Sequence, residues 1–335
     1  MDQRNDLQMY NVRTDLALEA RELVSENNPG RLPGVEEESY EDDGIYLTKI
    51  KVTTEEGSRA IGKLPGHYVT IEVPKLRNKD SKLQDRVATR FAKEFEQFLA
   101  DTGVSKTAKV LIVGLGNWNV TPDALGPIVT ENVMVTRHYF ELMPDQVAPG
   151  YRQVSAVSPG VLGITGIETS EIVQGIVEMS KPDLVIAVDA LASRALERVN
   201  TTIQIADTGI NPGSGVGNKR KGITKEVLGV PVIAIGVPTV VFASTIVNSS
   251  IEMLISHFKK ETEATDKILG MLDTLQENER LMLVKEVLNP LGHDLVVTPK
   301  EIDEFIEDIA NIIASGLNAA LHEAIDSDNV AAYTH

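Results

Sequence analysis

Four compact apolar runs set the centre of the chain: KVLIVGLGN from Lys109, DLVIAVDAL from Asp183, TIQIADTGI from Thr202 and VPVIAIGVPT from Val230. Within each, Val, Ile, Leu and Ala crowd together without the strict alternation of a half-exposed strand, a pattern that suits strands buried on both faces. Helical spacing fills segments between them, as at residues 169–179. Strands that need cover on both faces, alternating with helices able to give it, predict an α/β fold: an open, mainly parallel sheet flanked by helices. A chain of 335 residues allows one large domain or two ordinary ones.

The flanks read differently. YLTKIKV from Tyr46 and HYVTIEV from His67 alternate apolar and polar residues and predict half-buried strands, as additional small β elements. Residues 80–100 predict a helix, with Val87, Phe91, Phe95, Phe98 and Leu99 on one stripe. A short helix is predicted at 16–25, capped by Asp15, with Leu16, Ala20 and Leu23 on one face. Residues 36–43 hold six acids and read as a solvated loop. Beyond Val240 the pattern is helical, at 249–260, 264–275, 279–287 and 299–313. A core over 16–258 and a helical region over 259–335 packed on it are therefore expected.

Composition narrows the function. With 32 basic and 49 acidic residues the net charge is −17, which argues against nucleic acid as a direct partner, since neutralising phosphates takes surplus Lys and Arg. The absence of cysteine excludes disulfides, thiolate catalysis and Cys-based metal sites. The most apolar stretch, residues 230–243, is broken by Pro231, Gly236 and Pro238, whereas a membrane helix needs about 20 apolar residues. The polar N-terminus has no signal-peptide core. These features predict a soluble, intracellular protein.

In an open parallel sheet the usable crevice lies beyond the C-terminal strand ends. Asp123 follows the first run through GLGNWNVTPDALGP, Asp189 sits in the tail of the second, and Asp207 ends the third. Each also has a simpler reading, as a helix cap for Asp123 and Asp189 or as a turn residue for Asp207. The apolar surroundings of Asp189 weigh against the simpler reading, because a buried carboxylate is costly without a purpose. GLGNWN is a poor dinucleotide loop: Asn119 replaces the third glycine and Pro122 interrupts the helix. The stretch NPGSGVGNKRK carries Lys219, Arg220 and Lys221 after its glycines, as an anion-holding loop or an ordinary basic turn. His67, His138, His257, His293, His322 and His335 are scattered without metal-ligand spacing, although His138 or His293 could meet a carboxylate in the fold.

Several of these motifs together carry a family likeness. VLIVGLGNWNVTPDALGP, SPGVLGITGIETSEIV, PDLVIAVDALASR, NTTIQIADTGINPGSGVGNKR and NPLGHDLVVTPKEIDEFIEDIANIIASGLNAAL, with YNVRTDLALEA near the start, resemble the germination proteases of spore-forming bacteria. The resemblance runs nearly the whole length and implies an endopeptidase of phosphorylase/hydrolase-like α/β fold, acting on small acid-soluble spore proteins in the cytoplasm of the developing forespore and the spore core. It also implies a homo-oligomer, a tetramer, made as a zymogen that removes residues 1–15 by cutting between Asp15 and Leu16. Its active carboxylates fall on Asp123 and Asp189; Asp207, Lys219 and Arg220 are candidates for substrate binding, and Arg194 is left without a role. A more distant likeness, through Gly114, Asn117, Asp123 and Gly126, is to hydrogenase-maturation endopeptidases, whose equivalent acids bind a metal.

Two mechanisms follow. In one, needing no cofactor, Asp123 and Asp189 share a proton and activate water. In the other the same acids hold a divalent ion, nearer to Mg²⁺, Ca²⁺ or Mn²⁺ than to zinc because the ligands are hard oxygens. A non-enzymatic oligomeric α/β protein that holds an anion on the 211–221 loop is the alternative of another class.

Overall fold

A computed structural model describes residues 14–27, 32–211, 221–261 and 295–325. The four apolar runs form β4 (Val110–Gly114), β6 (Leu184–Ser193), β7 (Thr202–Ala206) and β8 (Val232–Phe242) of one sheet. β4 pairs in parallel with β6 and with β5 (Val154–Val157), and β6 pairs in parallel with β8. β7, by contrast, runs antiparallel to β8. The chain has only residues 194–201 in which to pass from β6 to β7, and a parallel crossover needs about a dozen or more.

The small N-terminal β elements join the same sheet. β1 (Val35–Asp42), β2 (Ile45–Val52) and β3 (Gly66–Glu72) pair antiparallel in turn, and β3 docks antiparallel on β7. The order is β1-β2-β3-β7-β8-β6-β4-β5, and the short β9 (Val296–Val297) pairs with the end of β8. The acidic run at 36–43, expected as a loop, is therefore mostly the edge strand β1. Cross-strand partners make this possible: Glu36 faces Lys51 and Glu38 faces Lys49, while Tyr40 donates to Glu94 at 2.5 Å.

One face of the sheet is covered by α3 (Ser81–Asp101), α4 (Leu125–Asn132) and α8 (Ile302–Leu321). Asp80 caps α3 by accepting from Lys82 N and Leu83 N. The predicted stripe from Val87 to Leu99 is buried in the main core with Ile306, Ile309 and Ile313 of α8. α8 lies close to α3 because Gly316 has no side chain; an added Cβ there would meet Phe91 Cδ1 at 2.3 Å. The opposite face has two smaller clusters. α5 (Thr169–Ser180) and α6 (Lys225–Leu228) pack over β4, β6 and β8, while α1 (Ala17–Asn27) and α2 (Glu55–Ile61) border β2, β3 and β7. α7 (Ala243–Glu261) follows β8, and the helices expected at 264–275 and 279–287 lie outside the described residues. None of the described helices is long and apolar enough to cross a membrane.

His322, just past α8, is fully buried, and its Nδ1 accepts from Arg152 N at 3.1 Å. Burial holds its pKa down at about 4. Because the folded pKa lies below that of the unfolded chain, the stabilisation is present above about pH 6.5 and is lost as pH falls towards 4. The loss should be roughly 3 kcal/mol, from about 1.4 kcal/mol per pKa unit. In urea unfolding, the stability gap between wild type and His322→Asn should shrink by that order from neutral pH to about pH 4. A gap independent of pH would contradict the assignment.

Candidate active site

β4 leads into α4 on one face of the sheet, whereas α5, which leads into β6, packs on the other. The β4/β6 boundary is thus a point where connections diverge and leave a crevice at the C-terminal strand ends. Asp123 follows the end of β4, and Asp189 lies one residue beyond the level at which β4 stops beside β6.

Glycines bring the Asp123 turn down onto the strands. A Cβ at Gly114 would lie 2.2 Å from Gly126 O, and one at Gly126 would lie 2.3 Å from Leu115 O and 2.5 Å from Val188 O. Gly116, at φ +112°, lies so close that a Cβ would meet Asp123 O at 1.9 Å. Backbone bonds fix the turn: Asn117 N donates to Asp123 O at 2.9 Å, and Asp123 N to Val120 O at 2.7 Å. From β8, Thr239 Oγ1 donates to Pro122 O at 2.7 Å. The glycines of GLGN therefore serve contacts of the chain with itself, which explains why the dinucleotide pattern fails. α4 has its N-cap at Ala124, so Asp123 precedes the cap position.

Asp189 is 5% exposed and lies within β6, not in its tail, since the strand continues to Ser193. Its Oδ1 accepts from Ala190 N at 2.9 Å. In the sheet register Asp189 stands opposite Gly236 of β8, and Gly236 stands opposite Gln204 of β7. Directly opposed residues point to the same face, so Asp189 and Gln204 share a row with a glycine between them. Two strand spacings separate them, about 10 Å. Leu191 reaches over the gap: a Cβ on Gly236 would meet its Cδ1 at 2.3 Å.

The expected processing bond lies on this face. Asp15 N donates to Ala192 O at 3.3 Å, and Ala192 N returns a bond of 3.0 Å to Asp15 Oδ2. Lys63 Nζ donates to the carbonyls of Thr14 and Asp15 at 3.0 and 2.8 Å. Gln204 receives Ala17 N on its Oε1 at 2.6 Å and gives its Nε2 to Asp15 O at 3.3 Å. Leu16 and Ala17 are wholly buried. Asp15, Lys63, Leu191, Gln204 and Gly236 line a shared cavity of about 180 Å³. One turn into α1, Glu19 accepts from Arg194 N at 2.7 Å and Ala195 N at 2.9 Å, tying the helix to the segment that follows β6.

Among the described residues, Asp207 and His138 are held by other groups. β7 is antiparallel, so its C-terminal end carries Asp207 away from the crevice. There Asp207 accepts from His67 N at 2.8 Å and meets His67 Nδ1 at 2.7 Å. Lys219 and Arg220 lie outside the described residues; Lys221 is exposed, 3.6 Å from Glu171. Arg194 donates its backbone N–H to Glu19. His138 is exposed against Tyr139, and His293 lies outside the described residues. Among the described residues no three His, Asp or Glu side chains converge as a metal cluster would require.

Lys63, Gln204 and Glu19 are the site residues that the sequence reading missed. Gln204 had a usable signal, a lone amide inside the otherwise apolar TIQIA.

Comparison with known proteins agrees with the motifs. The family model described as germination protease matches residues 14–268 and 261–334. A germination protease of Bacillus mycoides is 53% identical over 363 residues, covering 98% of this chain and 99% of that protein. One from Bacillus anthracis is 53% identical over 364 residues with the same coverage. Among solved structures, a [NiFe] hydrogenase maturation protease, HycI from Thermococcus kodakarensis, is matched at 21% identity and a TM-score of 0.31, over 63% of this chain and 92% of that one. The chain belongs to the germination protease family.

Proposed function

We propose that this protease is an endopeptidase made as a precursor, that it cuts itself between Asp15 and Leu16, and that it then hydrolyses small acid-soluble spore proteins during germination. The observation that carries this reading is the placement of the Asp15–Leu16 bond. It is held on the same sheet face as Asp189, in the row that runs through Gly236 to Gln204. Its acid–large apolar–Ala order resembles the bonds that the family cuts in spore proteins, so one peptide cleft can serve both reactions.

Asp123 and Asp189 carry the chemistry. Carboxylates brought close together resist ionising together and share one proton. The ionised one takes a proton from water as the water oxygen attacks the scissile carbonyl. The protonated one hydrogen-bonds to that carbonyl oxygen, and a proton is then delivered to the leaving amine as the C–N bond breaks. The burial of Asp189 supports a role in this exchange, because a buried carboxyl group is costly to place without a use for it. A divalent ion bound by the same pair is the competing reading. We further propose that the protease works as a tetramer in the forespore and spore core.

Incubation with a small spore protein and mass analysis of the fragments tests the reading. Asp123→Asn and Asp189→Asn should each lower cleavage by about a thousandfold or more. Activity should survive exhaustive chelation; loss on chelation with recovery on adding metal would overturn the metal-free mechanism. Protein beginning at Leu16 should cut at once, whereas the full chain should show a lag ending when residues 1–15 are released. Equal activity from the first minute in both forms would remove the precursor role.

A further inference from the structure

Hydrolysis of the Asp15–Leu16 bond puts a hydroxyl on the Asp15 carbonyl carbon and a proton on the Leu16 nitrogen. At neutral pH the products carry a carboxylate on one side and an ammonium on the other. In the uncut chain the Lys63 ammonium already touches the Asp15 carbonyl oxygen at 2.8 Å, with Gln204 Nε2 on the same oxygen at 3.3 Å. Leu16 N donates to Thr14 Oγ1 at 3.1 Å, and that hydroxyl donates to Glu19, whose side chain is 1% exposed. A cation therefore stands where the new anion forms, and a buried carboxylate stands one hydroxyl away from the new cation.

We propose that Lys63, Gln204 and the Ala192 N–H form a binding site for the C-terminal carboxylate of a peptide ending in an acidic residue. The site rests on the proposed cut at Asp15–Leu16. Lys63 and Gln204 hold the α-carboxylate, and Ala192 N takes the side-chain carboxylate as it takes Asp15 Oδ2 now. The contacts of Lys63 and Gln204 strengthen on cutting, since a hydrogen bond to a carboxylate is stronger than one to a neutral carbonyl, most of all from an ammonium, while the Ala192 contact is kept. Burial lowers the pKa of Lys63, against the pull of the Asp15 and Glu19 carboxylates. An extra anion on its ammonium relieves that cost. On the other side Glu19, in the first turn of α1, is placed to pair with the ammonium at Leu16, a charge that would otherwise oppose the helix dipole. Peptides ending in Asp or Glu are also what cleavage after an acid yields, so the site is one of product retention and of selectivity for an acid before the cut.

Binding can be read without catalysis. Every described helix and strand begins at Ala17 or later, so protein released from a fusion with Leu16 as its free N-terminus keeps all of them. A labelled peptide of residues 10–15 with a free C-terminal carboxylate is titrated against this protein by fluorescence anisotropy, beside the same peptide as a C-terminal amide. The carboxylate form should bind at least about tenfold more tightly, because only it gives Lys63 a charged partner. Lys63→Met should bring the two peptides to within about threefold of each other. Equal binding of acid and amide by the wild-type protein, or no binding of either, overturns the proposal even if Lys63→Met fails to fold. Because no bond is cut, the result stands apart from the fragment assay: spore-protein cleavage with equal acid and amide binding defeats only this site, and the reverse pattern defeats only the endopeptidase reading.

Discussion

A carboxylate inside a strand is admissible only if something beside it gives way. In β6 the run Leu184 to Val188 is wholly apolar and buried, and Asp189 follows without a break in the strand. Gly236 gives way: opposite the acid it leaves no side chain, and the strip of bare sheet that results reaches Gln204. Leu191 closes part of it, and the N-terminal segment lies along the rest. Replacing that glycine by any larger residue would drive its Cβ into the Leu191 side chain. Gly236 and Leu191 line the cavity in which Asp15 sits.

Much of this was legible in the sequence, for physical reasons that differ between elements. α3 was readable because a long helix with one buried face repeats its apolar residues at a spacing that no other element shares. Asp189 was readable because an acid among Ile, Ala, Val and Leu conflicts with its surroundings. Asp123 was placed at the right end of the sheet, though nothing in the string shows that Gly114, Gly116 and Gly126 fold its turn back on the chain. The direction of β7 was lost because an apolar run has no polarity of its own, although the short link before it held the answer. β1 was lost because its acids are balanced by lysines on a different strand, which composition along the chain does not reveal. Lys63 had no signal at all: GKLPG reads as a surface turn until the Asp15 carbonyl arrives above it.

The N-terminal segment is integrated more deeply than its position in the chain suggests. Glu19 holds the backbone of Arg194 and Ala195, while Arg198 binds Glu22 at 2.6 Å and Glu72 at 2.7 Å. α1 is thus fastened to β3 and to the segment after β6 at once, by charged groups of which Glu19 and Arg198 are largely shielded from water. Such pairs are costly to break one partner at a time. Gln204 and Glu19 hold both sides of the Asp15–Leu16 bond, Gln204 through Ala17 N and Asp15 O and Glu19 through the Thr14 hydroxyl and the segment after β6, while Lys63 and Ala192 hold Thr14 and Asp15.

The acidic edge strand has a consequence for how copies of the molecule can meet. Among the described residues the sheet has nine strands with β1 and β5 at its margins, and a margin offers its outer backbone to any chain that can pair with it. On β1, a second copy laid alongside would face Glu36, Glu37, Glu38, Glu41 and Asp42 with the same five acids. At the other end β5 is only four residues long. Lateral growth of the sheet is disfavoured at one margin by repulsion and at the other by lack of length. Any association between copies is thereby steered to helices and loops, where contacts are not propagated from strand to strand as in a fibre.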